Sequence, residues 1–369
     1  MTAADKRDEG IDALRILCMI MIPIAHILGH GGILYSAEPM SLRYELAWLL
    51  ESAAFCSTNC YALISGYVSY GKRHKYANII YLNFQVLFYT VITTGVFYIF
   101  MPEVVGKRVI LQALFPFAFP VYWYYNAYFC MFFFMPFMNY LLERLDRPAL
   151  RGLIFSIIAI YSVMPTLSFS DPGSALNGNS ALWLGLLYFI GGYIKKYKED
   201  EREYKYKRIE NILIWLSCVI LAWAGKYICE RFLNFYYGYS QVDFYMINNT
   251  SPLILGAAVC LLNAFSGLKL PWIVQKFTRF FAPLSFGVYL FHCEPLIWNH
   301  VLFLSALRFL DDSISVMLLK VMMTALGIWF VGSLADWIRS CLFNLLHIRR
   351  LCVNLEEKIG RRLKVILYK

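Results

Sequence analysis

The chain of 369 residues is 60% hydrophobic, 18% aromatic and only 16% charged, with a mean hydropathy of +0.55. Soluble domains are about a quarter charged, so this composition excludes a soluble core and calls for a bilayer as part of the solvent. The net charge of +10 sits in loops and tail, where it attracts anionic lipid or an anionic soluble ligand; it does not point to nucleic acid.

The apolar stretches run about twenty residues, the length of a membrane helix rather than of a barrel strand. The expected fold is all-α: a polytopic membrane helical bundle of about ten transmembrane helices with both termini cytoplasmic. The polar N-terminus MTAADKRDEG precedes an apolar run with no cleavage pattern, so that run reads as a retained first span. Spans are predicted at 11–33, 45–69, 78–100, 119–142, 149–168, 181–197, 209–229, 247–267, 282–304 and 314–336. The piece 105–118, interrupted by Pro116, is too short to cross and reads as re-entrant or interfacial. With this layout most of the 34 Lys and Arg fall on the cytoplasmic side. Residues 1–336 form the membrane domain. Residues 337–369 alternate apolar and basic at helical spacing and read as an amphipathic tail on the cytoplasmic interface. The mixed-sign loop KKYKEDEREYKYKR reads as a solvated face. The ten cysteines are scattered without a CxxC pair and read as buried free thiols.

Titratable groups at membrane depth are expensive, so each is a candidate for function. The first span, GIDALRILCMIMIPIAHILGHGG, carries Arg15 and His26. Eleven residues of helix leave them about 20° apart around the axis and roughly 16 Å apart along it. One face then holds a fixed cation at one end and a neutral-pH base at the other; a snorkelling arginine and a packing histidine fit the pattern equally. His30 follows His26 by one turn, but no HExxH pattern completes a ligand set, and no metal is expected. GHGG reads as a helix end that lets backbone approach a ligand.

Further along, Glu51, His292, Glu294 and Lys320 fall inside apolar runs. Pro295 breaks the helix beside His292 and Glu294, and broken helices with polar groups often line cavities. Glu51 or Glu294 paired with Lys320 as a mere fastening is the competing view. Trp123, in the aromatic cluster VYWYYNAYFCMFFF, offers a sugar-stacking face or a place in the interfacial belt. Asn249, beside Asn248 and ahead of Ser251-Pro252, is a polar contact or a helix cap.

Arg15-x10-His26 resembles the signature of the acyltransferase-3 family of membrane acyltransferases. AHILGHGG, ALISGYVSY, NFQVLFYT, YWYYNAYFCMFFFMPFMN, LWLGLLYFIGGYIKKY and SFGVYLFHCEPL follow in that family's order, most similar to the branch of surface-polysaccharide O-acetyltransferases. The resemblance implies transfer of an acyl group, usually acetyl, from acetyl-CoA to a carbohydrate hydroxyl. No cofactor is bound; acyl-CoA is a co-substrate, and the partners are acyl-CoA, a carbohydrate acceptor and membrane lipids. It assigns catalysis to Arg15 and His26. His292 and Glu294, read from their depth in the membrane, would orient or polarise the reacting groups. Arg15, Lys72, Arg73 and Lys75 would meet the donor's phosphates, and His30, Glu51, Trp123 and Asn249 the acceptor. One departure stands out: GKRHKYANIIYLNF enters the third span without the family's RxxR spacing. A transporter or flippase is the rival reading, because buried His, Glu and Lys also line permeation paths.

Overall fold

A computed structural model describes residues 7–168, 170–198, 204–238 and 245–367. Lys6, Arg202 and the side chains of the last tail residues lie outside it. Among the described residues all regular structure is helical, as a chain that satisfies its backbone inside a bilayer requires.

Helix α1 (Glu9–Leu28) starts where Asp8 caps the Ile11 N–H and accepts from the Gly267 N–H at 3.0 Å. After the glycine turn and short α2 (Ile33–Ser36), α3 (Leu42–Phe55) and α4 (Ser57–Ser69) meet at Cys56. Next come α5 (Ala77–Phe100) and α6 (Lys107–Leu114). The latter stops two residues before Pro116, since the residue preceding a proline avoids helical backbone angles. Helices α7 (Trp123–Phe132) and α8 (Met135–Arg144) follow, then α9 (Arg147–Ile158), continued through a wide turn into α10 (Met164–Ser168). The order closes with α11 (Ala181–Lys196), α12 (Tyr204–Tyr237), α13 (Pro252–Phe265), α14 (Trp272–Phe281), α15 (Ser285–His292), α16 (Pro295–Ile297), α17 (Ile314–Leu345) and α18 (Ile348–Leu367).

Among the described residues five helical stretches are each long and apolar enough to cross a bilayer: Glu9–Ser36, Ala77–Phe100, Arg147–Ser168, Lys207–Tyr237 and Ile314–Leu345. A sixth arises if Trp272–His292 and Pro295–Asp311, bent by 56° at their junction, form one span. The stretches predicted as spans at 45–69, 119–142, 181–197 and 247–267 are instead built from shorter helices, singly or in pairs. Rows of exposed apolar side chains, such as Ile209, Leu213, Leu216 and Ile220 on α12, face outward as lipid contact demands. The chain is a multi-pass membrane protein. At the far end, α17 continues nine residues beyond position 336 to Leu345, and Arg339 and Phe343 are buried in the bundle. The separate basic helix begins only at Ile348, past the turn at Leu346 and His347.

Helix α1 lies at the centre, packed against α3, α4, α13, α14, α15 and α17. Polar fastenings hold this interior together. Asp336 pairs with Arg339 at 2.8 Å and accepts from Gln85 and Tyr89 on α5. Lys226 pairs with Glu230 on α12 and lies over the Trp48 ring of α3 at 3.9 Å.

Between α4 and α11 the backbones touch. A Cβ on Gly66 would sit 1.8 Å from the Tyr188 carbonyl oxygen, and one on Gly191 would sit 2.0 Å from that of Leu63. Small residues permit this approach where lipid supplies no hydrophobic drive between helices. Gly191→Leu is expected to cost about 3 kcal/mol or more by overpacking. Fluorescence-detected gel filtration of detergent extracts after a heat series checks it; an unchanged melting midpoint would mean the helices can separate freely.

Candidate active site

The site grows from the break between α15 and α16. Glu294 precedes Pro295 and is held extended (φ −62°, ψ 131°), so the helix must stop there. Its carboxylate caps the new turn, accepting from the Leu296 N–H at 2.8 Å and the Ile297 N–H at 3.3 Å. The broken chain leaves His292, Cys293 and Trp298 against the upper part of α1, where Gly29, Gly31 and Gly32 keep the backbone bare. The Leu304 N–H bonds the His30 carbonyl and the Ala306 N–H bonds that of Gly31.

His26 Nδ1 and His292 Nε2 lie 3.0 Å apart, joining residues 266 positions distant in sequence. The proton assignment follows from the next bond. His292 Nδ1 is 2.6 Å from the Val288 carbonyl oxygen, which only accepts, so Nδ1 carries the proton. Neutral His292 then has a lone pair on Nε2 and accepts from His26 Nδ1–H. In neutral His26 this leaves the lone pair on Nε2, and no described residue bonds that atom. The His26 ring meets Trp298 edge-on at 4.6 Å, and His30 stacks on the same indole at 4.0 Å while its Nε2 donates to the Trp298 carbonyl.

His26 opens into a cavity of about 680 Å³. His30, Glu51, Trp123 and Asn249 line it too, together with Tyr35, Asn179, Tyr289 and Cys293. The structure thus gathers the four residues expected to meet the acceptor around the candidate base. Glu51 is 2% exposed and its Oε2 has no hydrogen-bond partner; Asn249 donates to Asn179 Oδ1 at 3.2 Å while its own Oδ1 is unpartnered. Buried polar atoms left unpaired are costly, and both residues line the cavity.

Other expected members stand elsewhere. Glu294 lines a separate cavity of about 160 Å³, and its oxygens are occupied by the cap. Lys320 pairs with Asp312 at 2.6 Å, not with Glu51 or Glu294. Arg15 is held by Asp12 at 3.1 Å and lines a cavity of about 300 Å³ with Tyr61, Tyr124 and Phe286. That cavity and the His26 cavity share no lining residue. Tyr124 and Phe286 on one side meet Tyr289 on the other, at ring distances of 6.1 and 5.7 Å. Arg73 and Lys75 line a further cavity of about 1310 Å³ whose wall includes Ile79, a residue shared with the Arg15 cavity; Lys72 is exposed in the same loop.

Sequence reasoning missed three contributors. Trp298 supplies the ring between His26 and His30, and Asp12 anchors Arg15. Cys293 Sγ lies 3.7 Å from His26 Nδ1. His26, His292 and Cys293 place Nδ1, Nε2 and Sγ within 4.8 Å of one another, donor types that zinc accepts. A cation there would have to replace the proton now shared by the histidines, leaving the remaining proton on His26 Nε2 and no lone pair toward the cavity.

Fold and site define a multi-pass helical membrane protein built around an enclosed histidine pair. A family model described as an acyltransferase domain, that of the acyltransferase-3 family, matches residues 8–335, and the chain belongs to that family. It is therefore a membrane acyltransferase. Comparison with curated proteins and with solved structures gave no match.

Proposed function

We propose that the protein moves an acetyl group from acetyl-CoA to a hydroxyl of a surface or lipid-linked carbohydrate. The observation carrying this reading is the unpartnered Nε2 of His26 on the wall of a cavity also lined by Glu51 and Asn249, each of which has one buried oxygen without a partner. His26 Nε2 removes the proton of an acceptor hydroxyl, and the oxygen attacks the thioester carbonyl. The C–S bond breaks, and the departing thiolate takes the proton back from the imidazolium. His292 holds the ring and its tautomer. Arg15 sits about three turns below His26 on the same helix, where it meets the donor on its way from the basic loop of Arg73 and Lys75. The thioester arm passes between the Arg15 and His26 cavities by displacing the contact of Tyr124 and Phe286 with Tyr289.

Among the described residues the lining of the His26 cavity includes one carboxylate, Glu51, and no Lys or Arg. Such a wall favours hydroxyl or amine donors and disfavours a carboxylate or phosphate at the reacting end. Purified protein given radiolabelled acetyl-CoA is expected to acetylate a neutral methyl glycoside at least about tenfold faster than the matching glucuronide, a difference of roughly 1.4 kcal/mol. Equal rates, or a faster glucuronide, would reject the acceptor assignment. Transfer to none of the sugars would reject the carbohydrate reading altogether.

A further inference from the structure

Helix α18 lies outside the residues that match the family, 8–335, yet it is fixed to the membrane domain at the edge of a cavity. Arg349 Nη2 donates to Asn78 Oδ1 at 2.7 Å and its guanidinium lies 5.6 Å from the centre of the Tyr81 ring. Two turns further on, Glu356 Oε1 accepts the Tyr76 N–H at 2.8 Å. The space between α18, the loop at 73–76, the start of α5 and α7 measures about 1310 Å³. That exceeds the roughly 300–1,000 Å³ of ordinary small-molecule pockets. Its rim carries Arg73 and Lys75 on one side and Arg349 and Arg361 on the other. Glu356 and Glu357 also reach it, but the first is engaged by the loop backbone. Phe129 and Phe133 supply an aromatic floor, and Ile79 lines both this cavity and the one beside Arg15.

We infer that α18 is the outer wall of the donor site, and that Arg349 and Arg361, opposite Arg73 and Lys75, hold the phosphate-bearing end of the thioester. The inference rests on the acyl-CoA reading above. Cations on both sides suit a ligand with several phosphates, the aromatic floor suits a planar base, and the shared Ile79 wall sets the thin arm toward Arg15. An anionic lipid headgroup offers the same phosphate chemistry, but neither a planar base for the floor nor a reason for the route to Arg15.

The test uses the full chain in nanodiscs of neutral phosphatidylcholine, with binding of adenosine 3′,5′-bisphosphate measured directly and the KM for acetyl-CoA measured by acetyl transfer. The double variant R349A/R361A is expected to weaken both by about tenfold or more, with kcat at saturating donor falling far less. R349K/R361K, which keeps the charges, is expected to stay close to wild type and so separates lost phosphate contacts from lost packing. Unaltered binding and KM in the alanine variant would overturn the inference. So would an effect seen only when the discs contain phosphatidylglycerol, which would mark a headgroup site. A wild-type protein that binds the bisphosphate through these arginines but transfers no acetyl group would leave the site standing and remove the acyl-transfer reading instead.

Discussion

His26→Ala is expected to lower kcat for acyl transfer by about 10²–10⁴-fold, the usual worth of a positioned general base. The ring opens into the 680 Å³ cavity with a tautomer enforced by His292 and a free nitrogen. His30 lines the same cavity, but its Nε2 is spent on the Trp298 carbonyl and its face on the Trp298 indole. Its Nδ1 keeps a lone pair, so His30→Ala is the control variant, expected to lose far less turnover than His26→Ala. The loss should fall on kcat, since His26 touches the reacting hydroxyl and not the phosphate end of the donor. Purified variant protein, shown by gel filtration to keep its monodisperse peak, would be assayed with radiolabelled acetyl-CoA. Wild-type turnover in that sample would remove His26 from the chemistry.

Much of this site was legible along the first span and little of it across the bundle. Arg15, His26 and His30 stood out because ionisable groups at fixed helical spacing need no tertiary information to be placed on a face. His292 stood out as a polar residue at depth, yet its 3.0 Å contact with His26 depends on how α15 packs against α1, and a single sequence carries no such pairing. Glu294 directly before Pro295 has the backbone and side chain of a helix cap, a role legible from that neighbour alone. Asp336 and Arg339 were equally readable as an i, i+3 ion pair. They were assigned to different regions because the apolar run weakens at 336, although burial carries α17 on to Leu345. The all-helical membrane class followed from composition alone. Which helices cross did not, because Cys56 and the break at Glu294 divide apolar runs that look continuous in the sequence. The basic loop was legible as charge, but α18 as its opposing wall depends on the Glu356 to Tyr76 bond, 280 residues apart.

His292→Ala is expected to lower kcat by roughly 10–100-fold, as removal of an orienting partner does elsewhere, with donor KM changing little. In the native site the chain Val288 carbonyl, His292 and His26 fixes one proton on each Nδ1 and leaves one lone pair, on His26 Nε2. Alanine removes both the acceptor for His26 Nδ1–H and the wedge that keeps the ring edge-on to Trp298. His26 then divides its population between two tautomers and more than one rotamer, and only part of it points a lone pair at the acceptor. His292→Gln distinguishes this from simple damage to the packing. A carboxamide has one oxygen to accept from His26 and an amino group to donate to Val288, so it restores both bonds without a titratable ring. Glutamine should therefore recover about tenfold of the activity lost by alanine, or roughly 1.4 kcal/mol of barrier. Its pH profile should report the titration of His26 alone. If alanine and glutamine are equally inactive at the same folded fraction, His292 acts through its own titration and the fixed-tautomer account is wrong. If alanine is as active as wild type, the pair of histidines is packing and nothing more.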